Sequence, residues 1–77
     1  MKTTTENNYT ARGARCKDDF ASVIDSRIAF GGSGHIVLAL KDNGEYATWW
    51  IGSNGDLRFG HYFDDVESAR DDFILRG

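Results

Sequence analysis

Cysteine occurs once in these 77 residues, at Cys16, so no internal disulfide can form and a reducing cytoplasm is the expected setting. No apolar run approaches the ~20 residues that a bilayer span requires. No signal peptide is expected either, because Lys2 is followed by Thr3-Thr4-Thr5-Glu6-Asn7-Asn8 and no apolar stretch. Positive charge is short: nine Lys and Arg stand against twelve Asp and Glu, a net charge of −3. That sign argues against simple phosphate tracking, and the value is too mild for mimicry of a polyanion.

Chemistry-bearing motifs are equally scarce. His35 and His61 are the only histidines, and Cys16 is the only soft ligand to join them, so neither a metal site nor a cofactor is expected. A Cys/His nucleophilic pair would lack its orienting third group. Gly31-Gly32-Ser33-Gly34 lacks the Gly-Lys-Ser/Thr of a phosphate loop and opens onto a strand, so it reads as a connector. No catalytic constellation emerges, and the chain is expected not to be an enzyme.

What the sequence does contain is a strong β signal. Ile36-Val37-Leu38-Ala39-Leu40, Tyr46–Ile51 and Leu57–Phe63 are apolar runs of strand length, separated by Asn43-Gly44 and Asn54-Gly55. Asn-Gly favours the two-residue type I′ turn. That register predicts Leu40 opposite Ala47, Leu38 opposite Trp49, Trp50 opposite Phe59 and Thr48 opposite His61. One face then carries Ile36, Leu38, Leu40, Ala47, Trp49, Ile51, Arg58 and Tyr62. Its reverse carries Val37, Ala39, Tyr46, Thr48, Trp50, Leu57, Phe59, His61 and Phe63. Both faces are largely apolar, so both need cover. Gly60 inside the third strand marks either a bulge or a place where Trp49 crosses the backbone.

A helix is expected on each side of the meander. Asp18-Asp19 followed by Phe20, Val23, Ile24 and Ile28 shows helical spacing, with the acids at the N-terminal end of the dipole. Arg27 falls inside that apolar arc, so the alternative is a helix ending near Ser26 with 27–30 as an edge strand. At the other end, Asp64 as N-cap with Glu67 three residues on reads as a capping box. Val66, Ala69, Phe73 and Ile74 would form the inner face, and Glu67, Ser68, Asp71 and Asp72 the outer one, with Leu75 among them. The expected architecture is α+β: a three-stranded antiparallel meander with N- and C-terminal helices, α-β-β-β-α. Residues 1–12 would form a mobile arm and residues 13–77 a single domain.

The helix–three strands–helix order is similar to that of double-stranded-RNA-binding domains. Those domains meet phosphates with a basic start to the last helix, where this chain has Asp64, Asp65 and Glu67. The segment from Tyr46 to Phe73, with Thr48-Trp49, Gly60-His61-Tyr62-Phe63, Ala69 and Asp72-Phe73, resembles small uncharacterised proteins of phages and mobile elements. In small size, mild acidity and compact α-β-β-β-α order the chain also looks like some anti-CRISPR proteins, which bind Cas effectors and block DNA access or activation. That resemblance implies a cytoplasmic inhibitor of a host defence complex, acting by protein–protein contact. The expected contact pairs Asp64, Asp65, Glu67, Asp71 and Asp72 with a basic surface on a Cas-type effector, with Trp49 or Tyr62 as anchor. Two other readings stand beside it. One is a homodimer closed through a spare apolar face, and the other a nucleic-acid accessory protein using Arg12, Arg15, Lys17 and Arg58.

Overall fold

A computed structural model describes residues 9–29, 31, 34–52 and 55–76. Four antiparallel strands form one sheet in chain order: β1 (Ala21–Ile28), β2 (His35–Lys41), β3 (Tyr46–Ile51) and β4 (Leu57–Phe63). A single helix, α1 (Val66–Leu75), follows. The expected α+β class holds, but the three-stranded meander with an N-terminal helix is wrong. Residues 21–28 are a strand paired along their length with β2. Their helical spacing is real, yet Val23, Ile24 and Ile28 are β-branched and Ser22 and Ser26 compete with helical hydrogen bonding. The ladder on both sides decides the outcome. Beyond its pairing with β2, Val23 donates its N–H to Ala14 and accepts at its carbonyl from Gly13, each at 2.8 Å. Asp18-Asp19 accordingly lies in a turn, with Asp19 left-handed at φ 60°.

The hairpin between β2 and β3 is one residue longer than expected. Gly44 N–H bonds Lys41 O, Lys41 N–H bonds Glu45 O, and only Gly44 is left-handed, at φ 93°. This is a type I turn closed by a glycine bulge, not a type I′ turn. Asn43 uses its side-chain oxygen to accept from the Glu45 N–H at 3.0 Å. At the next connection Gly52 N–H bonds Asp56 O, Gly55 N–H bonds Gly52 O, and Gly55 is left-handed at φ 89°. Asn54 itself lies outside the described residues.

One extra loop residue moves every β3 side chain to the other face. Leu40 therefore opposes Tyr46, Leu38 opposes Thr48 and Ile36 opposes Trp50. Between β3 and β4 a bulge absorbs the second offset, so Thr48 does oppose His61, whereas Trp50 opposes Arg58 and not Phe59. Gly60 sits at that bulge, and a Cβ there would lie 2.6 Å from Trp49 Nε1. Both readings of Gly60 are thus correct together.

Each face has its own cover. Ala69 and Phe73 of α1 pack on Ala29, Ile36 and Leu38, flanked by Ile24, Tyr46, Trp50 and Phe63. On the reverse, Val23, Val37, Ala39, Ala47, Trp49 and Ile51 are covered by Cys16, with Tyr9 and Phe20 packed against them. Tyr9 belongs to the expected N-terminal arm yet packs on the sheet; residues 1–8 of that arm lie outside the described residues.

Candidate functional site

Asp65, not Asp64, caps α1: its carboxylate accepts from the Ser68 N–H at 2.8 Å. That bond holds the Asp65 carboxyl below the ordinary carboxylate range. The face turned to the sheet also differs from the expected stripe. Ala69 and Phe73, four residues apart, form its buried seam. Ile74, expected inside, is 58% exposed, and Leu75 is 78% exposed.

Asp72, expected outside, turns toward the sheet instead. It accepts from the Thr48 hydroxyl at 2.5 Å, and His61 Nδ1 lies 3.0 Å from it. Burial pushes its carboxyl up, but the bonds from Thr48 and His61 and the charges of His61 and Arg76 outweigh that and hold it low. Arg76 completes the network, donating to Thr48 Oγ1 at 3.0 Å and to the Phe59 carbonyl at 2.7 Å. From β1, the Arg27 guanidinium donates to the Phe73 and Arg76 carbonyls at the helix C-terminus. The arginine that spoiled the predicted N-terminal helix is therefore the C-terminal clamp of α1.

The seven expected contact residues do not form one surface. Trp49 is 4% exposed, on the face away from α1, with the Phe20 ring edge-on at 5.6 Å. Tyr62, 52% exposed, shares that face, where its hydroxyl accepts from Trp49 Nε1 at 3.3 Å. Asp65 and Asp72 are spent on the cap and on the sheet. Asp64, Glu67 and Asp71 remain exposed and make no ion pair among the described residues. Glu67 and Asp71, with Ile74 and Leu75, form the outer stripe of α1, and Asp64 immediately precedes its cap. Leu75 was legible in the sequence as an apolar residue among acids; Ile74 was not, because it follows Phe73 and suits an inner face equally well.

The N-terminal cations are engaged. Arg15 bridges Asp19 and Asp42, both at 2.7 Å, Lys17 pairs with Asp56 at 3.1 Å, and Arg12 lies 3.7 Å from Asp25. Arg15 holds the Asp42 carboxyl low. A groove of about 380 Å³ opens between Lys17, Asp18, Gly55, Asp56, Leu57 and Arg58. Its two cations face two carboxylates, and one pair is already joined. Among the described residues no group of three or more His, Cys, Asp or Glu is placed to hold a metal ion. Nor is any helix long and apolar enough to cross a membrane. No family model matches this chain, and neither a curated protein nor a solved structure proves similar to it.

Proposed function

We propose that this chain is a non-enzymatic protein that docks through the outer face of α1 onto a partner protein with a Lys/Arg-rich surface. The observation that carries the reading is the stripe itself: Glu67 and Asp71, with Asp64 just before the cap, are unpaired among the described residues, and the stripe ends in exposed Ile74 and Leu75. Free carboxylates steer a basic partner into place, and an apolar end supplies the desolvated contact that holds it. In the form suggested by the chain's likeness in size and mild acidity to anti-CRISPR proteins, the partner is a CRISPR–Cas-type effector. The docked helix then occupies a basic surface that nucleic acid would use.

Two features favour this reading over direct binding of nucleic acid. The stripe repels phosphates, and Arg12, Arg15 and Lys17 are engaged with acids of the same chain. The homodimer reading loses its premise, since the second sheet face is covered by Tyr9, Cys16 and Phe20. The His61–Asp72 pair, the nearest thing to an acid–base dyad, serves to bind α1 to Thr48 and the sheet.

A target-cleavage assay with a guide-loaded Cas effector tests the proposal. The wild-type chain should suppress cleavage. The double reversal Glu67→Lys/Asp71→Lys should keep its far-UV spectrum and lose potency by about ten-fold or more, the scale of a lost charge-complementary contact. Undiminished suppression by the reversed variant removes the stripe from the mechanism.

A further inference from the structure

The fold leaves a cation and an aromatic ring unused, side by side on β4. Phe59 is 69% exposed and stands at φ 58°, a left-handed conformation that strains any residue carrying a Cβ. Its ring meets the edge of Trp50 at a centroid distance of 6.3 Å and belongs to neither core cluster. Bulges re-aim side chains, and an outlier kept against its cost points to use.

Arg58 precedes that ring in the strand. Among the described residues it is the one Lys or Arg that joins neither a carboxylate nor a carbonyl. Asp18 and Asp56 line the same groove, but Asp56 is paired with Lys17, and neither acid makes an ion pair with Arg58. The opposite balance holds on α1. There Glu67 and Asp71 make no ion pair among the described residues, and the exposed side chains of Ile74 and Leu75 accompany them. One molecule therefore carries two patches that match each other: a free cation with an aromatic ring, and free carboxylates with two aliphatic side chains. No ion pair joins the two patches within one chain.

We infer that Arg58 and Phe59 dock the outer face of α1 from a second copy of this chain, with Arg58 against Glu67 and Asp71 and the ring against Ile74 or Leu75. Charge complementarity selects that occupant, and both sides bring apolar area to exclude water from the pair. Single-stranded nucleic acid would offer a phosphate to Arg58 and a base to Phe59. One free cation on a chain of net charge −3 gives such a strand little to follow. The contact differs from closure through a sheet face, since both faces are covered. In a two-fold pair each copy offers both patches, so the contact is made twice. The inference rests on the reading of the α1 stripe as a docking element, and it makes self-association a competitor of partner binding.

Sedimentation equilibrium on the full-length protein tests it. Wild type should associate reversibly, and less so as salt is raised. Arg58→Glu and, separately, Glu67→Lys/Asp71→Lys should each weaken association about ten-fold or more. Mixed in equal amounts, these two variants should associate with each other. The intact stripe of the first then meets the intact bulge of the second, and reversed charges meet reversed charges. A folding defect cannot produce that rescue. Phe59→Asn, which tolerates the left-handed region, should lose association while keeping the melting midpoint. Wild type that stays monomeric at about 1 mM overturns the inference. So does a mixture that fails to associate, or association undiminished in Arg58→Glu and Phe59→Asn. In each of those cases the docking helix still stands if Glu67→Lys/Asp71→Lys loses suppression of target cleavage. If that double variant keeps both association and suppression, both fall. Oligothymidylate binding that Arg58→Glu abolishes overturns the inference in favour of a base-stacking platform.

Discussion

Thr48 is the one buried polar side chain among the described residues, and its hydroxyl finds its partners only on α1 and the residue that follows it. Donating to Asp72 and accepting from Arg76, it is satisfied when the helix is docked and orphaned when it is not. With ionised Asp72 as acceptor, Nδ1 of His61 carries the proton. Asp72, like Asp65 and Asp42, is held below the ordinary carboxylate range. As pH falls, the unfolded chain takes up these protons first, near its ordinary value of about 3.9. Stability from these carboxylates is therefore present above that value and lost as pH drops through their lower folded values. Urea midpoints should be flat from neutral pH to about 5 and fall steeply below about 4. Asp72→Asn should lower the midpoint at neutral pH and make the acid limb shallower; an unchanged limb would show that the network does not contribute.

At the scale of elements, the cap fixes where α1 begins, and the seam of Ala69 and Phe73 with the Asp72 and Arg76 contacts decides which side chains face outward. Asp65→Ala should cost about 1 kcal/mol in denaturation experiments, because the Ser68 N–H loses its acceptor. Asp64→Ala should be close to neutral; equal costs would restore Asp64 as the cap. The sequence could not separate these two acids, since each has a polar residue three positions on, Glu67 or Ser68. The apolar runs of β2, β3 and β4 were plain in it, punctuated by Asn-Gly. Asn-Gly fits a two-residue turn and a three-residue turn alike, however, and that ambiguity alone misassigned the faces of Trp49 and Trp50. For β1 the difficulty was periodicity. A bulge between Val23 and Asp25 breaks its alternation, leaving Phe20, Val23, Ile24 and Ile28 at helical spacing. Its pairing partners lie at 13–16 and in β2, where no local pattern reveals them. Arg27 was the one local warning, because it has no place in an apolar helical stripe.

For the whole molecule, stability rests on two unlike covers over one sheet. The helix brings two buried side chains and a polar network; residues 9–20 bring Tyr9, Cys16 and Phe20. Arg15 fastens that second cover to β1 through Ser22 and to the first turn through Asp42. Phe20→Ala should destabilise the fold by about 2 kcal/mol, below the cost for a fully buried Phe. It should also shift emission to the red as Trp49 meets water. A variant with native stability and unshifted emission would mean that the N-terminal segment is not a structural layer.

The bulge at Phe59 and Gly60 has a consequence for how copies of this molecule meet one another. A four-stranded sheet offers two rows of unpaired backbone groups, each a template for further strands. Residues 13–16 occupy part of the row along β1. Along β4 the bulge kinks the strand, and Arg76 has already claimed the Phe59 carbonyl. An incoming strand therefore meets a broken rail instead of a straight one. The same kink makes β4 a poor template for the addition of another strand.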